Sequence, residues 1–124
     1  MPKTLRQLTE APVRLTGGHR LCPGCAEPII ARHVLMAAGD NPVIVAACTG
    51  CFEVSTTIFP YTAWNVPWIH LAFENAGATI AGIEAMYQQW RKQGKIDPDV
   101  RYRLVAFAGD GGTYDIGFQA LSGM

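Results

Sequence analysis

The sequence predicts an α/β fold in which crossover helices join the strands of a parallel sheet. Three short apolar runs, at residues 43–47, 68–72 and 104–108, have the length and composition of strands buried on both faces. Between the second and third runs, residues 76–92 carry apolar side chains at helical spacing. This alternation is typical of parallel sheets, whose ligands bind at the carboxyl ends of the strands.

A helix of about three turns is predicted ahead of the first strand. Pro28 suits the first turn of this helix, apolar residues recur at helical spacing from Ile29 to Ala37, and Gly39 suits its end. A further helix is expected to begin within residues 115–124. Residues 1–18 mix Pro, Thr and charged side chains, so we expect an extended arm that contributes nothing to the core.

The composition and net charge of the chain argue against several classes of function. The 124 residues allow one domain at most, and 49% are hydrophobic while 16% are charged, which favours burial against a partner. Ten basic residues balance ten acidic ones, so nucleic-acid binding has no electrostatic support. The chain has neither an apolar stretch of roughly 20 residues nor a signal peptide, so we expect no membrane association and a cytoplasmic location.

The four cysteines form two C-x2-C pairs, Cys22 with Cys25 and Cys48 with Cys51. Spacing alone suits a structural zinc site, although zinc ribbons use small exposed hairpins and here a helix and a buried strand separate the pairs. A thioredoxin-like redox pair is the other alternative, because the first pair precedes a helix. No convincing strand precedes Cys22, so this alternative ranks last.

A glycine-rich motif, GDGG at residues 109–112, follows the third predicted strand and precedes a predicted helix. Such a loop lets the backbone approach a diphosphate, and the carboxylate of Asp110 can hold the divalent ion that neutralises it. Gly-Asp-Gly is also ordinary turn chemistry, so the motif gains weight from its position after a strand.

Three blocks, at residues 18–25, 47–51 and 109–124, resemble the beta subunits of 2-oxoacid:ferredoxin oxidoreductases. The segment FPYTAWNVPW, at residues 59–68, is similar to the pyruvate-type members. The resemblance implies that residues 1–124 are the N-terminal portion of a single thiamine-diphosphate-binding domain, incomplete at the C-terminus. It also implies cluster-ligand loops at residues 19–25 and 48–51.

The resemblance further implies that Cys22, Cys25 and Cys51 ligate a 4Fe-4S cluster, with a fourth thiolate beyond Met124. Cys48 is expected to be a small buried residue. Contacts to thiamine diphosphate are implied for Thr49, Gly50, Cys51, Gly109, Asp110, Gly111 and Gly112, with Mg²⁺ on Asp110. The asparagine that closes the thiamine motif would also lie beyond Met124.

By the same resemblance the enzyme decarboxylates a 2-oxoacid oxidatively and reversibly to an acyl-CoA and CO2, passing electrons through the cluster to ferredoxin. Pyruvate is the expected substrate, with 2-oxoglutarate, 2-oxoisovalerate or oxalate as alternatives. The implied partners are an alpha subunit, gamma and delta subunits, ferredoxin and coenzyme A. The activating glutamate belongs to the alpha chain in this family, so no catalytic residue is assigned here.

Five further polar residues have expected roles. Glu53 is expected to cap a helix or form a hydrogen bond near the cluster, Glu74 to cap a helix, and Glu84 to face solvent or an interface. His70, in an apolar run, is expected to be a core residue, whereas His19 is expected to form a hydrogen bond near the cluster loop or an interface. The aromatic segment 59–68 is expected to pack or to form an interface.

Overall fold

A computed structural model describes residues 4–124, and it confirms the α/β class with a parallel sheet. After a short first helix, helices and strands alternate as far as the third strand, which two short helices follow. In order they are α1 (Leu5–Thr9), α2 (Glu27–Ala37), β1 (Val43–Cys48), α3 (Cys51–Thr56), β2 (Trp68–Leu71), α4 (Ala76–Lys92), β3 (Arg103–Phe107), α5 (Asp110–Tyr114) and α6 (Phe118–Gly123).

The three strands form one parallel sheet with the order β2-β1-β3, in which Val45 of β1 lies opposite Trp68 and Val105. Each strand agrees with its predicted run to within one residue at either end. The expectation that all three are buried on both faces is right for β1 alone. Since β1 lies between the other two, it is almost wholly buried, whereas β2 and β3 are only half-buried.

Helices cover both faces of the sheet. On one face Val43 and Val45 pack with Leu35 of α2, and on the other face Ala46 packs with Ile80 of α4. The bounds of α4 are the predicted ones, and those of α2 confirm a helix of 11 residues. Although α4 has 17 residues, no helix within residues 4–124 is long and apolar enough to cross a membrane.

The N-terminal arm differs from the expectation in two respects. It is not extended throughout, because Thr4 and Gln7 form a capping box that starts α1. It also contributes to the core, since Leu15 is 1% exposed and pairs with Trp64 in an isolated β-bridge. The sequence signal for α1 was the Thr-x-x-Gln spacing, because side chains three residues apart at a helix start can each accept a hydrogen bond from the other's backbone N–H.

Arg14 holds the arm against the end of α2. Its buried guanidinium donates hydrogen bonds to the carbonyl oxygens of Leu35 at 2.7 Å, Gly39 at 2.7 Å and Asn41 at 2.9 Å. Carbonyls at a helix C-terminus lack partners within the helix, so this side chain satisfies groups that would otherwise be unpaired. Gly39 has a φ of 61°, which confirms its predicted place just past the helix end.

Candidate functional site

The carboxyl ends of β1 and β3 border one cavity of about 230 Å³. The two strands are parallel neighbours, so the segments that follow them meet at the same edge of the sheet. One wall comes from α2 and the start of α3, and the other from the end of β3 and the first residue of the glycine motif. The cavity is lined by Glu27, Ile30, Ala31, Cys48, Gly50, Cys51, Phe52, Phe107, Ala108 and Gly109.

The turn that follows β1 is fixed by the neighbouring strand. The backbone N–H and the hydroxyl of Thr49 both donate to the carbonyl oxygen of Leu71, at 2.8 Å and 2.9 Å. Gly50 then precedes α3, which begins at Cys51. The side chain of Cys51 is exposed and borders the cavity, so its thiol is accessible while the backbone before it is held in place.

The glycine motif is mostly helical, which corrects the expectation of a loop over residues 109–112. Helix α5 begins at Asp110, with Gly109 as its N-cap, and a break at residues 115–117 separates it from α6. The helix expected from residue 115 therefore begins at Phe118. The motif is compact because its glycines allow close packing.

Gly112 and Gly117 occupy places that no side chain could fill without movement. A Cβ on Gly112 would lie 2.8 Å from the carbonyl oxygen of Phe73, 2.9 Å from Cβ of Ala108 and 3.3 Å from Sγ of Cys48. A Cβ on Gly117 would overlap the backbone of Gly112. Gly112 thus lets α5 pack directly on the ends of β1 and β3, and Gly117 lets the turn after α5 pack on Gly112.

The beginning of the motif is open by contrast. A Cβ on Gly109 would meet nothing within 4 Å, and one on Gly111 would make only an ordinary contact with the ring of Phe73. The carboxylate of Asp110 is exposed beside this open backbone. These residues fit a diphosphate with its divalent ion, because backbone N–H groups and a hard oxygen ligand are accessible together.

The four thiols are free and differ in their surroundings. Cys48 is 4% exposed, which confirms the expectation of a small buried residue. Cys22 and Cys51 are exposed, and Cys25 is half-buried. The N–H of Cys25 donates to the carbonyl of Cys22 at 3.0 Å across a tight turn in which Gly24 has a φ of 81°.

The two cysteine segments approach the same helix. The N–H of Arg20 donates to the carbonyl of Ser55 in α3 at 2.8 Å, and Glu27, two residues after Cys25, borders the cavity with Cys51. Within the described residues 4–124, however, no three His, Cys, Asp or Glu side chains are close enough to hold a metal ion. Free thiols on adjacent segments fit the donor chemistry of an iron-sulfur site, but they do not form a closed ligand set.

A buried carboxylate lies in α3, two residues after Cys51, and its partner was not foreseen. Glu53 is 6% exposed, and its Oε1 accepts hydrogen bonds from Nδ1 of His70 at 2.6 Å and from the hydroxyl of Thr57 at 3.1 Å. The expectation of a core His70 is wrong, because this side chain is 52% exposed at the edge strand β2. The predicted sheet could have suggested the pair, since both residues lie near carboxyl ends of strands.

Two other expectations are corrected and one is confirmed. Helix α4 begins at Ala76, and its N-cap residue Asn75 forms no side-chain capping hydrogen bond. The capping role expected for Glu74 is therefore not observed. Nδ1 of His19 is buried without a hydrogen-bond partner among the described residues, so this atom does not form the expected bond. The interface expected as the alternative stays a prediction. Glu84 is exposed and accepts a bond from Gln88, as expected for a solvent-facing position.

The aromatic segment divides into packed and exposed residues. Trp64 packs against Phe52 with ring centroids 5.4 Å apart, and it stacks on Trp68 at 6.2 Å. Its indole N–H donates to the hydroxyl of Thr56 at 2.9 Å. Phe59 and Tyr61, at the other end of the segment, are exposed. Packing, one of the two expected roles, is therefore confirmed for the tryptophans.

Comparison with known proteins identifies close relatives, although no family model matches the chain. The pyruvate synthase subunit PorB of Thermotoga maritima is 53% identical over 100% of this chain and 40% of its own length. PorB of Methanocaldococcus jannaschii is 56% identical over 86% of the chain and 35% of its own length. The ketoisovalerate oxidoreductase subunit VorB of Pyrococcus abyssi is 42% identical over 86% and 33%.

The chain thus spans at most 40% of the length of these relatives. The Thermotoga maritima relative nevertheless covers all of this chain, and therefore both cysteine pairs and the glycine motif, at 53% identity. The chain belongs to the family of 2-oxoacid:ferredoxin oxidoreductase beta subunits.

Proposed function

We propose that this chain forms the thiamine-diphosphate-binding part of the beta subunit of a pyruvate:ferredoxin oxidoreductase. The observation that carries the proposal is the shared cavity, which Cys51 borders on one side and Gly109 on the other. A cofactor held there by its diphosphate would have a thiolate next to it. The relatives named pyruvate synthase support pyruvate as the substrate.

The glycine motif is the proposed diphosphate site. Backbone N–H groups of Gly111 and Gly112 at the start of α5 would bind phosphate oxygens, and Asp110 would ligate Mg²⁺. Gly109 leaves the approach to this backbone free. Thiamine diphosphate, when bound, supplies the carbanion stabilisation that decarboxylation of a 2-oxoacid requires.

The rest of the cavity would position the organic part of the cofactor. Its walls are largely apolar, with Ile30, Phe52, Phe107 and Ala108 as the main contributors. Such walls exclude water and strengthen electrostatic interactions inside the site. Thr49 is bonded to β2, and the turn that it anchors brings Gly50 and Cys51 to the wall of the cavity. We therefore propose that these three residues contact the thiamine cofactor together.

Electron transfer is the proposed role of the cysteines. Cys22, Cys25 and Cys51 would provide three thiolates to a 4Fe-4S cluster, and the fourth would come from the longer polypeptide that the relatives contain. Because Cys51 borders the cavity, electrons leaving the substrate would travel only a short distance to the cluster. Ferredoxin would accept them, and coenzyme A would take the acyl group.

The proposed assembly contains more than this chain. It includes an alpha subunit that provides the activating glutamate, together with gamma and delta subunits, in the cytoplasm. The apolar surface supports a large interface, since Ile29, Val34, Phe59 and Tyr61 are all exposed. No residue of this chain needs to act as an acid or base in the proposed scheme.

There is one alternative for the substrate and one for the function of the cysteine pairs. The relative named ketoisovalerate oxidoreductase favours a branched 2-oxoacid as the second candidate substrate. A zinc-binding structural module would use the same C-x2-C pairs. The zinc module does not account for the carboxylate and open glycine backbone at the end of β3, which a thiamine diphosphate site explains directly. A branched 2-oxoacid would use that same cofactor site, so only the substrate preference separates it from pyruvate.

The test uses the complete oxidoreductase complex, purified without oxygen. Iron, acid-labile sulfide, zinc and thiamine diphosphate are measured, followed by ferredoxin reduction with coenzyme A and either pyruvate or 2-oxoisovalerate. We expect iron-sulfur absorbance, bound thiamine diphosphate and a higher kcat/KM for pyruvate. Equimolar zinc without iron would contradict the cluster, and a preference for 2-oxoisovalerate would contradict the substrate.

A further inference from the structure

We infer that Glu53 and His70 act together as positioning residues that hold Cys51 in place as a cluster ligand. The inference rests on the proposed function and assigns a role to two residues outside the set of thiolates. Its starting point is the burial of a carboxylate in α3, two residues after Cys51. Burying a charged group is unfavourable unless hydrogen bonds compensate, so a side chain in this position needs a physical reason.

The hydrogen bonds of Glu53 provide that compensation. Nδ1 of His70 donates to Oε1 at 2.6 Å, and the hydroxyl of Thr57 donates to the same oxygen at 3.1 Å. A short bond to a carboxylate is stronger than a bond between neutral groups. The pair therefore fixes the side chain of Glu53 between α3 and the edge strand β2.

The location of this bond relative to Cys51 gives it a specific consequence. Before Cys51, Thr49 is bonded twice to the carbonyl of Leu71, and after it, Glu53 is bonded to His70. The two anchor residues on β2 are adjacent in sequence. Cys51 thus lies between two points of attachment to the same strand, which fixes the position and orientation of the backbone that carries its exposed thiol.

Packing alone would not restrict Cys51 in this way. Phe52, the residue between Cys51 and Glu53, contacts Trp64 and Phe107 with ring centroids 5.4 Å and 5.3 Å apart. These apolar contacts hold α3 against the core, but apolar contacts are non-directional. A hydrogen bond has a defined direction, and residues that support metal ligands commonly orient them through such bonds.

The experiment uses the complete complex and measures iron release to a ferrous chelator without oxygen. His70→Ala and Glu53→Ala each remove the bond, whereas Glu53→Gln keeps an acceptor oxygen and nearly the same shape. Glu84→Ala, at an exposed position on α4, is the matched control. Loss of a residue that supports a metal ligand typically weakens the site about 10-fold or more, so we expect iron release to accelerate about 10-fold in both alanine variants.

We expect the Glu53→Gln variant to release iron at nearly the rate of the unsubstituted complex. The Glu84→Ala control should release iron at the same rate as the unsubstituted complex. The electron paramagnetic resonance spectrum of the reduced cluster should change in His70→Ala, while thiamine diphosphate affinity and melting temperature should not. The double variant should release iron no faster than either single variant, because the two residues share one bond.

Three outcomes would overturn the inference. One is iron release and a spectrum in His70→Ala that equal those of the unsubstituted complex, and another is additive effects in the double variant. The third is a parallel loss of iron, thiamine diphosphate and melting temperature, which would show a general structural role. Failure of the proposed function is separate, because it appears as absence of iron in the unsubstituted complex.

Discussion

Sγ of Cys48 lies 3.3 Å from the place that a Cβ would occupy on Gly112. This contact joins the last residue of the central strand to the helix that carries the proposed diphosphate site. A thiol is small enough to fit beside a glycine, so the two segments approach without an intervening side chain. The cysteine turn and the glycine motif therefore occupy fixed positions relative to each other.

Gly112→Ala tests whether this close packing matters for cofactor binding. The new methyl group would meet the carbonyl of Phe73 and Cβ of Ala108 at under 3 Å, so α5 must move. We expect a loss of about 1–3 kcal/mol in unfolding free energy, as for other overpacked sites. Thiamine diphosphate affinity, measured by titration of the cofactor-depleted complex, should fall at least 10-fold, which corresponds to about 1.4 kcal/mol.

Gly82→Ala provides the matched control, because Gly82 lies in α4 and a Cβ there meets nothing within 4 Å. In a helix interior this change should stabilise the protein by up to about 1 kcal/mol and leave cofactor affinity unchanged. If both variants bound thiamine diphosphate equally well, the packing at Gly112 would not govern the site.

Cys51→Ser and Cys48→Ser should differ in cluster content. Cys51 is exposed at the cavity and is the proposed ligand, so its replacement should remove most of the iron and acid-labile sulfide. Cys48 is buried, and serine preserves its approximate size, so the iron content should stay near that of the unsubstituted complex. Equal losses in the two variants would show that Cys51 has no special role.

Asp110→Ala should abolish Mg²⁺-dependent binding of thiamine diphosphate. The carboxylate is exposed at the first residue of α5, where it can reach an ion bound to the diphosphate. Binding is measured by calorimetry of the assembled, cofactor-depleted complex with and without Mg²⁺. Asp115→Ala, at an exposed position just past α5, is the control and should bind normally. Unchanged cofactor occupancy in Asp110→Ala would refute the proposed ligand role.

Arg14→Lys should destabilise the protein without changing cofactor affinity. Lysine cannot reach the three carbonyls that the planar guanidinium bonds at once, which leaves buried acceptors unpaired. We expect a loss of about 2 kcal/mol in unfolding free energy, measured by chemical denaturation. Arg32→Lys, at an exposed position on α2, should be within about 0.5 kcal/mol of the unsubstituted protein.

Local sequence patterns were sufficient for the regular elements that pack on the sheet. The β-branched run ending at Ala47 and the helical spacing after Ala76 each depend on a periodicity that burial imposes, so the bounds of β1 and α4 could be predicted closely. The glycine motif was predicted to be a diphosphate-binding loop, because it follows a strand and glycines let the backbone approach a ligand. Its helix exists because Gly112 and Gly117 permit tertiary packing, which composition does not report.

By itself the sequence determined the fold class, the family resemblance and the residue types of the candidate site. Only the tertiary structure decided which residues meet: Cys51 and Gly109 across one cavity, Glu53 and His70 across two elements, and Arg14 with the end of α2. The physical reason is that strand order and helix packing join residues far apart in the chain. Local periodicity shows that a residue is buried, but it does not name its partner.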